Sequence, residues 1–348
     1  MKWGVGLYTA QVPPGSAGSV HDEFGFLLEQ ARLLEQLGVD SLWLSEHHGA
    51  QDGYLPSLLP VAAAILSVTT RLRVGTGVLL APFNHPIRLA EDVAVLDQLS
   101  GGRFILGLGT GWRHREFASF GLDPRRRLAT LDETVSILRR AWQGERFDHD
   151  GTVYSFQDVL VRPRPYTPGG PAIWLGGSGP RALALAGRVA DGHFGVGAPF
   201  ESAVAAWRSA ADVSNRQPDS PFSFGQMRSG FIAEDAETAF RQAGRGMTYT
   251  LGVHAGWAAE QAGGTEADGV ATEQEVRAHN LFGDAAHITA ELAPYARAFA
   301  GRDDCHLSFR LYHPYTERDK TLAALDAYGT RVVPQLRRLE GGADASQS

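Results

Sequence analysis

A carboxylate and two imidazoles stand side by side in SLWLSEHHGA, where Glu46, His47 and His48 follow the apolar run Ser41-Leu42-Trp43-Leu44. An imidazole titrates near neutrality, so a histidine at the tip of a buried strand suits proton transfer or hydrogen bonding to a ligand. Metal ligation is the rival reading. Ligands on one segment are usually spaced to share a face, whereas adjacent His47 and His48 diverge on an extended chain. The sequence has no HExxH, and its one cysteine is Cys305. Acid–base or hydrogen-bonding work by one imidazole is therefore expected, with Glu46 and the other ring as orienting groups and no metal.

Two glycine-rich stretches add to this. In LGGSGPRALALAGR, Gly176 and Gly177 turn the chain and a helix follows. Ser178 is placed to cap that helix, and free N–H groups around Gly177, Ser178 and Gly179 would make an anion site, most naturally for phosphate. Arg181 would add a cation. An ordinary turn with an ordinary cap explains the same residues about as well. In GLGTGWRHREF the glycines at 109 and 111, around Thr110 and before Trp112, let backbone lie against a flat ligand. Glu116 could face the same cavity, while Arg113, His114 and Arg115 read as a solvated charge run.

These residues must be positioned by elements that alternate along the chain. Strands are expected at 2–8, 40–44, 72–80, 103–108, 172–175, 192–196, 222–232 and 305–311. Helices are expected between them at 20–36, 58–69, 86–99, 125–142, 181–188, 199–214, 235–244 and 320–338. Eight strands alternating with helices require parallel pairing with right-handed crossovers, and a closed (β/α)8 TIM barrel with insertions satisfies this. An open doubly wound sheet is the alternative, but the chain opens without a glycine-rich dinucleotide fingerprint. One domain is expected over 1–340, with an extended excursion at 147–170, a weakly periodic insertion at 250–278 and a disordered tail at 341–348. In such a barrel the reactive groups stand at the C-terminal ends of the strands, which is where Glu46-His47-His48, the two glycine stretches and the aromatics Tyr8, Tyr54, Phe83 and Trp112 fall. Those aromatics suggest a sizeable apolar substrate pocket, although packing explains each of them equally well.

The bulk composition removes other classes. A net charge of −7 argues against general nucleic-acid binding. The apolar windows are too short to span a membrane. One cysteine and an N-terminus without a signal-peptide apolar core fit a cytoplasmic protein.

At this point the motifs resemble a family. MKWGVGLYTAQVPP, WLSEHH, RVGTGVLLAPFNHPIRLAEDVAVLDQLSGGRF, GWRHREFASFG, RPRPYTPGGPAIWLGGS and AGRVADG look like the bacterial luciferase-like flavin oxidoreductases, in order and spacing, over the first two-thirds of the chain. The resemblance implies a barrel that binds reduced FMN at its mouth, with a mobile lid after strand seven that residues 250–278 would form. It implies that His47 supports a flavin–oxygen adduct, that Ser178 binds the flavin phosphate, that Gly77-Val78 is a cis-peptide bulge and that Glu116 lies near the flavin. Gly109 and Thr110 stand where luciferase has a reactive cysteine and a phosphate-binding arginine; Arg181 could replace the latter. GLGTG also resembles the deazaflavin (F420) branch. The reading is thus a monooxygenase that takes reduced FMN from a separate reductase, since no NAD(P)H motif is visible, and uses O2 on a small organic substrate. Alternatives are an F420-dependent hydride-transfer enzyme and a non-catalytic flavin-binding subunit. A homodimer through the second and third helices is implied as well.

Overall fold

Alternation along the strands decides which side chains enter the middle of this protein. In its computed structural model, residues 1–16, 18–214, 216, 221–266 and 269–341 are described. The strands are β1 (Lys2–Tyr8), β2 (Ser41–Leu44), β3 (Arg73–Thr76), β4 (Leu79–Leu80), β5 (Phe104–Gly109), β6 (Phe147–Asp150), β7 (Ser155–Val159), β8 (Ile173–Gly176), β9 (Gly192–Val196), β10 (Ser223–Ile232), β11 (Leu281–Gly283) and β12 (His306–Arg310). Within β2, Leu42 and Leu44 join the layer beneath the helices, while Trp43 points inward with Leu7, Ile105, Trp174, Phe194 and Met227.

The ring runs β10-β12-β1-β2-β3-β5-β8-β9, and parallel pairing of β9 with β10 closes it into a (β/α)8 barrel. Register is set residue by residue: Lys2 opposes His306 and Gly4 opposes Ser41. The inward tryptophans plug the barrel. Trp43 stacks on Phe194 at 4.5 Å and Trp174 at 5.4 Å. Glycines make the sockets: a Cβ on Gly75 would meet the Trp43 ring at 2.4 Å, and one on Gly225 would meet Trp174 at 2.5 Å. Burying aromatic rings of this size stabilises by roughly 2–3 kcal/mol each. The lower barrel is therefore solid, and the open volume lies at the strand C-termini.

Several elements differ from the sequence reading, each for a physical reason. The strand expected over 72–80 is broken: β3 stops at Thr76, the Gly77–Val78 peptide is cis, and β4 resumes at Leu79. The excursion at 147–170 contains the antiparallel hairpin β6–β7, whose turn Glu133 pins by accepting N–H groups of Thr152, Val153 and Tyr154 at 2.7, 2.9 and 3.1 Å. The helix expected to end at Gly244 runs on as Ala236–Gln261. Its glycines are close-packing sites rather than stops: a Cβ on Gly246 would meet the Pro314 carbonyl oxygen at 1.9 Å, and one on Gly256 the Glu266 carbonyl oxygen at 2.4 Å. Much of the insertion expected at 250–278 is thus this helix together with Glu273–His279. Helices His114–Ser119 and Ala285–Ala298 went unread in the sequence. The last helix ends at Gly341, and residues 342–348, where a disordered tail is expected, lie outside the described residues. Among the described residues no helix is long and apolar enough to cross a membrane.

Candidate active site

Where β2 ends, the backbone is held before the side chains act. The Ser45 N–H donates to the Tyr8 carbonyl at 3.1 Å and the His47 N–H to that of Leu55 at 3.2 Å. This fixes the loop after Leu44 and turns His47 toward a cavity of about 630 Å³ at the barrel mouth, which Glu46 and His47 both line. His47 Nδ1 lies 2.9 Å from Glu116 Oε1, and the same oxygen accepts the His48 N–H at 2.9 Å. Glu116 can only accept, so Nδ1 carries the proton, and Nε2 is the nitrogen left for a ligand. Burial pushes the Glu116 carboxyl up, but His47, the His48 N–H and Arg113 outweigh it and hold the carboxyl below its usual range. Glu116 stands on the helix His114–Ser119, behind the imidazole and away from the cavity lining.

Aromatic rings wall in the His47 imidazole. Trp257 lies 4.6 Å from it, Tyr54 4.9 Å, His254 5.6 Å and Trp112 6.3 Å, centroid to centroid. Trp257 is held by the Arg113 guanidinium, 3.9 Å from its ring centroid, and Arg113 is tied to Glu266 at 3.3 Å and to the His48 carbonyl at 3.1 Å. Arg113 is thus buried, contrary to the solvated run expected of it, while His114 and Arg115 are exposed. The reason is that the helix Ala236–Gln261 lies over this loop and brings Trp257 and Glu260 to it. His254 donates from Nδ1 to the Thr250 carbonyl at 2.8 Å. Burial, helped by the charges of His47 and Arg310, lowers His254 to about 4, so its ring is neutral near pH 7.

His48 goes the other way. Its Nε2 pairs with Glu46 Oε1 at 2.8 Å, and its ring lies between Phe83 and Phe120 at 5.2 and 4.8 Å. Burial raises the Glu46 carboxyl, with His48 opposing the rise. This face borders an outer groove between the helices Leu58–Ser67 and Pro86–Ser100.

Next to His47 around the mouth, the cavity is lined by backbone. Gly77, Val78, Gly109, Thr110, Gly111 and Trp112 form one wall. A Cβ on Gly109 would strike Val78 Cγ2 at 2.4 Å, and Gly111 has φ +68, so glycine at both positions keeps this wall flat. Gly176, Gly177 and Ser178 complete it. Gly177 has φ +127, and its carbonyl accepts from His193 Nε2 at 2.8 Å, which steadies the turn. The helix Pro180–Val189 starts at Gly179 without a side-chain cap, so Ser178 does not cap it as expected. The Ser178 hydroxyl and the helix N-terminus are left for a ligand. Gly179 and Arg181 are exposed on the rim, beyond the cavity lining.

Two expected pocket residues lie elsewhere. Tyr8 faces the helix layer: its hydroxyl donates to Gln30 Oε1 at 2.7 Å and its ring packs on Tyr312 at 5.2 Å. Phe83 stacks on Phe120 at 4.7 Å in the outer groove. Sequence reasoning also missed lining residues. Met247, Thr250, Leu251 and His254 share one helix face, at i, i+3, i+4 and i+7, and that spacing was readable. Arg310 and His313 stand where β12 ends, a position the barrel rule marks. Among the described residues no cluster of histidine, cysteine and carboxylate side chains is arranged for a metal ion.

The flat glycine wall, the uncapped helix N-terminus and the imidazole in one cavity fit a flavin-type cofactor. Comparison with known proteins agrees with that shape. The family model for the luciferase-like monooxygenases matches residues 1–303, and the chain belongs to this family. It is 34% identical over 175 residues to the alkanal monooxygenase alpha chain of Photorhabdus luminescens, covering 50% of this chain and 48% of that one. It is 37% identical over 176 residues to the F420-dependent glucose-6-phosphate dehydrogenase of Microbacterium testaceum (strain StLB037), covering 48% of this chain and 51% of that one. The matches therefore span about half the length of these curated relatives. Among solved structures, the oxygenating constituent of 3,6-diketocamphane monooxygenase from Pseudomonas putida, in complex with FMN, superposes with a TM-score of 0.75 at 21% identity. That superposition covers 96% of this chain and 99% of the other, and it shows a shared fold.

Proposed function

We propose that this luciferase-like protein is a flavin-dependent monooxygenase, taking reduced FMN from a separate reductase and using O2 to oxygenate a small organic substrate. The observation that carries this reading is the buried His47–Glu116 pair, 2.9 Å apart, with His47 lining the same cavity as the glycine wall. When bound, reduced FMN would supply the electrons and O2 the oxygen atom. The chain's own residues do the rest. The Ser178 hydroxyl and the N–H groups at the start of Pro180–Val189 hold the phosphate. Gly77, Val78, Thr110 and Gly111 bed the ring. Glu116 fixes the His47 tautomer, so that Nε2 receives or returns a proton at a group held against that wall. Tyr54, Trp112 and Trp257 exclude water around that nitrogen, which strengthens each hydrogen bond made there. A second copy is expected to cover the outer groove, where Leu99 and Val95 are 71% and 44% exposed. Sedimentation at micromolar concentration tests that assembly.

Substrate oxidation and hydrogen peroxide release, measured with a generic flavin reductase, test the role of His47. Replacing His47 with alanine is expected to abolish substrate oxidation while reductase-driven flavin reduction continues. Undiminished substrate oxidation would remove His47 from the reaction.

A second reading is an F420-dependent oxidoreductase that moves a hydride without oxygen. The similarity to a dehydrogenase named for F420 favours it, as does the glycine loop at 109–111. Tight binding of F420 with no binding of reduced FMN would make it the better reading. A non-catalytic flavin-binding subunit has less support, because it gives the His47–Glu116 pair no task.

A further inference from the structure

Arg310 ends β12, the strand diametrically opposite β5 in the eight-membered ring. It lines the mouth cavity and is 5% exposed. Its Nε donates to the Tyr312 carbonyl at 3.2 Å, but among the described residues its Nη2 has no partner. Among the described residues it makes no ion pair, and the only groups that favour its charge are two phenols, Tyr54 and Tyr312. The contrast is with Arg113, which is as deeply buried and has Glu266, Glu116 and Glu260 at 3.3, 3.7 and 3.8 Å. One buried guanidinium is neutralised by the protein and the other is not. A buried cation without a counter-charge is costly, and such a group at a cavity wall is a ready site for an anion.

Its surroundings supply no internal answer. His254 and His313 feel the Arg310 charge and, with burial, are lowered to about 4 and about 3, so both are neutral near pH 7. They are in turn committed to backbone carbonyls, His254 to Thr250 at 2.8 Å and His313 to Gly230 at 3.0 Å. Tyr54 links the two halves of the cavity: its ring is 4.9 Å from His47, and it too feels the Arg310 charge. The cofactor features, by contrast, belong to the ends of β3, β5 and β8. An anion on Arg310 would thus stand across the mouth from the ring bed, with His47 between them.

We propose that the organic substrate is an acid, whose carboxylate-type oxygens dock on Arg310 while its apolar part reaches over His47. This rests on the mouth cavity being the reaction chamber, not on which flavin occupies it. A forked guanidinium matches a carboxylate with two parallel donors. The shared chemistry is an anionic edge, and the flavin's own pyrimidine edge is the other possible source of it.

Two matched pairs of probes separate the cases: benzoate with benzyl alcohol, and octanoate with 1-octanol. Calorimetric titration of the full chain is expected to show each acid binding at least ~10-fold more tightly than its alcohol, the scale of one charge-assisted hydrogen bond. That preference should vanish in Arg310→Met and persist in part in Arg310→Lys, while the affinities for reduced FMN and for F420 change less than ~3-fold. Equal binding of acid and alcohol by the unaltered protein would overturn the proposal, and needs no variant. So would an acid preference that survives Arg310→Met, or a loss of flavin affinity in Arg310→Met without a change in acid preference. Failure of both flavins to bind would sink the cofactor reading and leave the comparison of acid with alcohol standing.

Discussion

The substitution Glu116→Gln isolates one charge. Both bonds that Glu116 makes to the motif end on a single oxygen, Oε1, at 2.9 Å from His47 Nδ1 and 2.9 Å from the His48 N–H. The other oxygen, Oε2, has no partner among the described residues. Glutamine can therefore keep both accepted bonds, and its NH2 group enters the position of an oxygen that bonded nothing. What it loses is the charge opposite the imidazole; Arg113, 3.7 Å away, keeps Glu266 and Glu260 as counter-charges. A hydrogen bond to a charged group contributes about 1.5–3 kcal/mol, against about 0.5–1.5 kcal/mol for a neutral one. The difference is of order 1–2 kcal/mol, which is roughly a 5- to 30-fold loss in any step that places a positive charge on His47. The carboxylate is 2% exposed, so solvent does little to screen it. Steady-state turnover with a reductase and O2, or with F420 if that is the cofactor, should show the loss in kcat. Affinity for the flavin should stay within about twofold. A kcat within twofold of the unaltered protein would refute the claim that Glu116 acts through the His47 charge. A loss confined to flavin affinity would refute it equally, since it would make Glu116 a cofactor contact.

The other predictions concern separate parts of the molecule. Ser178→Ala removes a hydroxyl that caps nothing, so stability should change by less than about 0.5 kcal/mol while the affinity for a phosphate-bearing flavin falls roughly 10-fold; a riboflavin control without phosphate should show no change. Stability should fall as the pH drops below about 6.5, because the unfolded chain then takes up protons that the buried rings of His254 and His306, lowered to about 4 and about 3, refuse. Denaturant titrations between pH 7 and pH 4 should therefore slope less for His306→Gln than for the unaltered protein, and identical slopes would contradict this. Gly246→Val should destabilise by several kcal/mol or prevent folding, because its side chain would meet the Pro314 carbonyl oxygen; circular dichroism and thermal melting read that directly.

The sequence carried more of the barrel than of the site. Strand–helix alternation was enough to place eight strands and to put His47 at the mouth. It could not tell which face of a strand end a side chain takes, and Tyr8 and Phe83 went wrong for that reason. Both are aromatic and both stand at or just past a strand end, yet Gln30 and Phe120 claim them on the outside. The lid region misled for another reason. Gly244 looks like a helix stop, yet the helix runs on: a Cβ there would meet the Phe240 ring at 2.9 Å, and one on Gly246 would meet the Pro314 carbonyl oxygen at 1.9 Å. Once that helix was cut short in the reading, the cavity face of Met247, Thr250, Leu251 and His254 disappeared with it. Arg113 looked solvated among charged neighbours because its carboxylate partners Glu260 and Glu266 come from far along the chain.

Reduced FMN and reduced F420, titrated separately and anaerobically into the protein, decide whether the mouth cavity lined by His47 and the glycine wall takes a phosphate-bearing flavin. One saturable site per chain is expected, with reduced FMN the tighter ligand. No binding of either would refute a flavin site at the mouth.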